Sequence, residues 1–251
     1  MSFAPLINAL GISKEALVEQ RVPKKLLLEQ GVPTAADKRQ IQDTIKEITW
    51  VAALKPANIG VPAFRDAVRE YLEIAVLTVA LRSTAKPPRL IELIHRAIPY
   101  PLMLVTEHRD TVNLSLAHKR WSQGEAGKVV IEDVRQVAFN PDRPAAVEAS
   151  FLASLAVSRL PACDLFALYE GMLARLAALE AARLTGVFTL PNSAERAAAV
   201  WAGLDAHARL KRDLAILRAR ADKENQINRR VELNIDIKRF EAELAATQET
   251  L

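Results

Sequence analysis

At 251 residues, half of them hydrophobic and a quarter charged, the chain has the composition of a folded protein with a sizeable core, which excludes wholesale disorder. A single cysteine, Cys163, excludes an internal disulfide and a cysteine-rich zinc site and fits a reducing compartment. The net charge of +4 is mild for this length, lies ahead of residue 140 and forms no block, so nucleic-acid binding is permitted without being indicated.

The opening MSFAPLINALGISKEAL lacks a basic segment followed by an apolar run, so it does not read as a secretory signal. The most apolar stretches, such as Ile74–Leu81, fall short of the ~20 residues a membrane helix needs. The expectation is a cytoplasmic protein with no membrane association.

The first ~30 residues read as short helical pieces broken by Gly11, Pro23, Gly31 and Pro33. Thr34 then has the character of an N-cap, and Ile41, Ile45 and Ile48 recur at helical spacing over 37–48. ITWVAAL (48–54) predicts a strand, and YLEIAVLTVAL (71–81), rich in β-branched and aliphatic residues, predicts another. Leu90, Leu93, Ile94 and Ala97 share one face of a helix over 89–98 that Pro99 stops. PLMLVT (101–106) predicts a buried strand, Arg109-Asp110 a turn, and 112–118 an alternating strand. Residues 128–139 predict a last strand with Val130, Glu132, Val134 and Gln136 on one face. The sum is an α+β fold: an α/β domain over 1–140 whose roughly five strands close in sequential hairpins, followed by a helical region over 141–251.

The boundary rests on Asn140-Pro141-Asp142-Arg143-Pro144, where turn formers separate strand patterns from helical ones. Helices are expected over 145–159 and 164–183, the second ended by Gly186. Asn192 or Ser193 then caps a helix that runs to about residue 248 without a proline. Unbroken at ~1.5 Å per residue it would be roughly 80 Å long, more than a compact domain covers, so coiled-coil packing or a partner is expected.

Few residues suggest chemistry. His108 and His118, with Glu107 nearby, face each other across the expected hairpin, but without a third ligand they read as hydrogen-bonded hairpin histidines rather than a metal site. Glu70 and Glu73, with Asp66, sit at a strand start as in magnesium-dependent nucleases. The lysine such a site places two residues after Glu73 is Ala75, which weakens that alternative. No phosphate loop, GxGxxG or GxSxG motif occurs, and no cofactor or metal is implied. Cys163, near a helix start, reads as a buried structural thiol rather than a reactive one.

The distinctive segment is KENQINRRVELN (223–234). Leu210, Leu214, Leu217 and Ala221 form a coiled-coil series that, continued, puts Glu224 and Asn228 in the seam ahead of Val231 and Ile235. A second stripe runs through Ile227, Val231, Ile237 and Leu244. Polar side chains in a seam require partners. Three readings follow: an internal polar network, a docking surface built from Lys223, Glu224, Gln226, Asn228, Arg229, Arg230, Glu232 and Asn234, or phosphate contacts through Lys223, Arg229 and Arg230.

This segment resembles the tail signature, similar to KEKQFNRKVELN, of a bacterial family called domain of unknown function 4391. Lys223-Glu224, Gln226, Asn228-Arg229, Val231, Glu232, Leu233 and Asn234 agree with it, whereas Asn225, Ile227 and Arg230 depart. The front half is also similar, at Pro23-Lys24-Lys25, Lys38, Glu47-Ile48, Trp50, Leu54, Pro56, Ile98-Pro99-Tyr100-Pro101 and Lys119. The resemblance implies an accessory subunit from phage-defence or restriction-type loci that assembles with a helicase/ATPase or a methyltransferase/nuclease subunit. It carries over no enzymatic activity. A non-catalytic subunit is therefore the leading expectation, with a divergent magnesium nuclease or a stand-alone nucleic-acid-binding module as alternatives.

Overall fold

The computed structural model describes residues 3–29, 34–125 and 127–251. Gly31 and Pro33, two of the expected helix breaks, lie outside the described residues. The chain opens with α1 (Ala4–Ala9), β1 (Leu17–Arg21), α2 (Lys25–Glu29), α3 (Ala35–Thr44) and β2 (Ile45–Leu54). A short α4 (Pro56–Ile59) and the strands β3 (Phe64–Arg65) and β4 (Glu70–Tyr71) lead to β5 (Ile74–Leu81) and α5 (Pro87–Ala97). Then come β6 (Leu102–His108), β7 (Thr111–Leu116), β8 (Lys119–Trp121), β9 (Val129–Ile131) and β10 (Arg135–Phe139). The remaining elements are helical: α6 (Ala146–Ser154), α7 (Leu165–Thr185), α8 (Ala194–Lys223) and α9 (Ile227–Glu249).

The main sheet has six strands in the order β1-β2-β5-β6-β7-β10, and two small ribbons pair β3 with β4 and β8 with β9. Neighbours are antiparallel except β5 and β6, which run parallel. The sequence reading of consecutive hairpins therefore fails at this pair: a parallel neighbour needs a crossover, and α5 supplies it. β5 and β6 are buried along almost their whole length. On one face Ala75, Leu77, Val79, Leu102 and Leu104 join Ile41 of α3 and Leu90, Ile91 and Ile94 of α5 in a single core. Arg89 locks these two helices together, with Nε 3.0 Å from Asp37 Oδ1 and Nη2 2.8 Å from Oδ2. The Arg89 hydrogen bonds hold the Asp37 carboxyl well below the usual carboxylate range. Asp37 also completes the Thr34 capping box.

Two further differences have local causes. β1 is a strand that the sequence did not announce; Glu19 adopts a positive φ of 52°, and the register with β2 shifts between Leu17 and Gln20, as at a β-bulge. The expected strand over 128–139 divides into β9 and β10 in different sheets, and Glu132 in the gap takes Arg69 and Arg120 as ion partners.

The chain separates into two compact units, 1–176 and 177–251, and the division falls within α7. The expected boundary at residue 140 differs because the helices that follow it close on the sheet. Phe151 of α6 meets Phe139 edge-on, and Arg175 donates to the carbonyls of Ser154 (2.8 Å) and Arg159 (2.8 Å). Gly171 lets α7 approach the chain before it, since a Cβ there would lie 2.4 Å from Pro161 Cδ. Cys163, expected buried, is exposed in this connection.

The second unit comprises the end of α7 with α8 and α9. The proline-free helix expected over 194–248 is broken at Glu224, whose backbone is extended (φ −80°, ψ 121°). The Glu224 carboxylate accepts the Gln226 N–H at 2.8 Å, replacing a helical hydrogen bond lost at the break. α9 then folds back antiparallel to α8. Arg218 pairs with Glu241 at 2.6 Å, Arg196 donates to the Leu251 carbonyl at 3.1 Å, and Leu251 packs beside Ala181, Val200 and Trp201. The two helices therefore supply each other's apolar cover, which an 80 Å rod would have lacked.

Tyr169 of α7 anchors the second face of the sheet. Its buried hydroxyl accepts the Ala117 N–H at 2.9 Å and lies within donating distance of the carbonyls of Leu102 (2.9 Å) and Ala117 (3.1 Å). Tyr169→Phe strands these groups and should lower unfolding stability by about 1–3 kcal/mol in a urea melt. A loss under a few tenths of a kcal/mol would contradict the anchoring role.

Candidate functional site

Two features in the separate units stand out. In the first unit a cleft of about 380 Å³ is lined by the approach to β5, the turn before β6, and the β8 and β9 ribbon. Pro99 ends α5, Pro101 precedes β6, and the Pro101 carbonyl accepts the Ala75 N–H at 3.0 Å, which fixes the turn against the sheet. Between the two prolines the Tyr100 ring is half-buried in the cleft. Burial, and next the Glu73 charge, raise its phenol above the ordinary value.

Lys119 enters the cleft from β8 and is buried. Its Nζ donates to the His95 carbonyl at 2.9 Å and to the Ile98 carbonyl, both at the end of α5. A cation is favourable there because the last carbonyls of a helix lack intrahelical partners. Burial pushes the ammonium down to about 7. Arg69 lies 5.3 Å from the centre of the Phe166 ring and 3.4 Å from Glu132 Oε1, and Arg120 reaches the same oxygen at 3.9 Å.

The acids expected for a nuclease have other partners. Glu70 pairs with Arg65 at 2.5 Å and Glu73 with Lys55 at 2.9 Å. Asp66 accepts the backbone N–H groups of Val68 and Arg69, closing a turn. Among the described residues no group of three or more His, Cys, Asp or Glu side chains converges as a metal site.

The hairpin histidines separate. His108 Nε2 lies 3.2 Å from the Ser83 carbonyl, while His118 bridges the Tyr71 hydroxyl at 2.5 Å and Glu170 at 2.7 Å. Tyr71 is fully buried and burial raises its phenol pKa, so it donates to His118 Nδ1, and Nε2–H faces Glu170. This Tyr–His–Glu chain ties β4 to α7 and offers no accessible nucleophile.

In the second unit the polar signature lies at the turn of the α8–α9 hairpin. Lys223, Gln226, Asn228, Arg229, Arg230, Glu232 and Asn234 are exposed and Glu224 is half-buried, so the seam expected around Glu224 and Asn228 does not form. Leu233, Ile237, Phe240 and Leu244, all half-buried, make the inward face of α9 instead. At about 100° per residue, Ile227, Val231 and Ile235 lie on the opposite side of the helix. They are 69%, 52% and 63% exposed, beside the basic Arg230 and acidic Glu232. Lys223, Arg229, Arg230 and Glu232 take part in no ion pair among the described residues.

His95, whose carbonyl accepts from Lys119, is a group sensitive to acid. It is fully buried, with Nε2 3.1 Å from Ser115 Oγ, and Nδ1 has no partner. Burial, with the Lys119 charge adding, pushes its pKa down to about 3. Between the ordinary 6.5 and 3 the unfolded chain binds a proton that the folded chain refuses, so stability falls as pH drops through this window. Between pH 7 and 5 the loss should be about 2 kcal/mol, and a His95→Leu variant should lack that slope in chemical denaturation. An unchanged slope would contradict the assignment.

Comparison with known proteins adds one result. Residues 10–244 match the family described as domain of unknown function DUF4391. No match was found among curated proteins or solved structures. Pro99, Tyr100, Pro101 and Lys119, which carry part of the front-half resemblance, meet in the cleft, and the tail signature spans the hairpin turn and the start of α9. The chain belongs to the DUF4391 family.

Proposed function

We propose that this protein is a non-catalytic accessory subunit that docks on a larger DNA-acting partner through the start of α9. The observation that carries the reading is the stripe of Ile227, Val231 and Ile235, aliphatic side chains more than half exposed on the face turned away from α8. Three such residues at i, i+4 and i+8 match the spacing with which a helix presents anchors to a groove. Full burial of an aliphatic side chain is worth roughly 1.5–3 kcal/mol, enough for three to matter after the cost of association. Arg229, Arg230 and Glu232 beside the stripe would give orientation and specificity more than affinity.

The partner class is proposed from the sequence resemblance alone: a helicase/ATPase or a methyltransferase/nuclease subunit of an anti-phage or restriction-type locus, in the cytoplasm. No helix among the described residues is long and apolar enough to cross a membrane. The acids at 66, 70 and 73 are committed to neighbouring cations or backbone, so the reading assigns them no catalytic step.

Co-expression with the products of neighbouring genes, followed by pulldown with and without nuclease treatment, tests the proposal. The native chain should retain a nuclease-resistant partner. Val231→Glu combined with Ile235→Glu should lose it, with the thermal midpoint shifted by no more than about 2 °C because both positions are exposed. A monomer that retains nothing, or a double variant that assembles normally, would overturn it.

A further inference from the structure

The proposed docking through α9 makes no use of the cleft on the first unit, whose lining is specific in chemistry. Leu72 is half exposed and Trp121 is open to solvent, and with Pro99, Tyr100, Pro101 and Val129 they give an apolar, partly aromatic wall. An aromatic lining of this kind is suited to a flat ring system, because every nucleobase has a face that stacks on aromatic side chains.

The charges are arranged differently. Each carboxylate at the rim has its own cation: Glu70 has Arg65 and Glu73 has Lys55. Glu132 alone serves both Arg69 and Arg120, at 3.4 and 3.9 Å, so two guanidiniums share one negative charge. Among the described residues Lys119 pairs with no carboxylate. Its ammonium donates to two carbonyls and retains a third N–H, and its side chain lines the cleft while remaining 3% exposed. A buried cation with carbonyl partners only is electrostatically incomplete, and an anion beside it would be stabilised by all three basic groups.

We propose that this cleft binds a nucleoside phosphate, either free or as the terminal unit of a single strand, with the base against the Trp121 and Tyr100 wall and the phosphate toward Lys119, Arg69 and Arg120. The volume of about 380 Å³ lies within the range of small-molecule sites. A divalent metal is the wrong ligand for this lining, because the available carboxylates are ion-paired and the uncommitted charge is positive. The presence of both aromatic and basic side chains in the lining distinguishes the site from a simple anion patch.

Calorimetric titration of the full chain with adenosine monophosphate, with inorganic phosphate, and with a short single-stranded oligodeoxynucleotide bearing or lacking a 5′-phosphate tests the proposal. Adenosine monophosphate should bind, and inorganic phosphate should compete with it. Preference for the 5′-phosphorylated strand over the mononucleotide would assign the terminus of a strand as the source; equal or weaker strand binding would assign the free nucleotide. Trp121→Ala and Arg120→Glu, at a solvent-facing and a half-exposed position, should each weaken binding at least about fivefold. Lys119→Met should weaken it too, and the two more exposed variants decide the matter if that protein fails to fold. No binding of mononucleotide or strand at millimolar concentration would overturn the proposal. So would binding unaffected by both Trp121→Ala and Arg120→Glu.

Discussion

The parallel pairing of β5 and β6 constrains most of the first unit. Two adjacent strands buried along their length cannot leave either sheet face to water, so both must be covered. The α5 crossover covers one face together with α3, and Arg89 joins these helices at their polar edge. α7 anchors to the other through the Tyr169 hydroxyl. Residues beyond Pro144 therefore become part of the sheet unit, and the chain divides within α7 instead of at its most turn-rich segment.

The same crossover creates the cleft. α5 must end where β6 begins, and Pro99 and Pro101 make that change in three residues. The carbonyls left at the end of α5 attract a donor, which Lys119 provides from β8. His95 pays for its fully buried place with an unpartnered Nδ1. A structural need at the end of a helix thus puts a buried lysine, with one N–H to spare, in the lining of a surface cleft.

Much of this was legible from local pattern. The apolar runs at 74–81 and 101–106, the helix between them and the Thr34 cap were readable because each depends on neighbouring residues. β1 was not: LVEQR lacks an apolar alternation, and its pairing depends on β2 and a bulge at Glu19. The break at Glu224 was hidden because no proline or glycine marks it; a side-chain carboxylate and packing of α9 on α8 make it. The cleft gathers residues from four separate segments. Its traces in the sequence were the Pro99-Tyr100-Pro101 and Lys119 part of the family resemblance and the acids Glu70 and Glu73, which also line it. The tail signature was recognisable, but reading it through an unbroken heptad placed Asn228 in a seam, whereas the turn places it in solvent.

The hairpin turn is thus short and charged, and the start of α9 beyond it carries Ile227, Val231 and Ile235 more than half exposed. Hydrogen–deuterium exchange of the chain alone and in complex with its co-purified partner would test the docking account most directly. The account predicts slowed exchange on complex formation over residues 227–238. Protection confined to the sheet unit, with 227–238 exchanging at the same rate in both states, would contradict it.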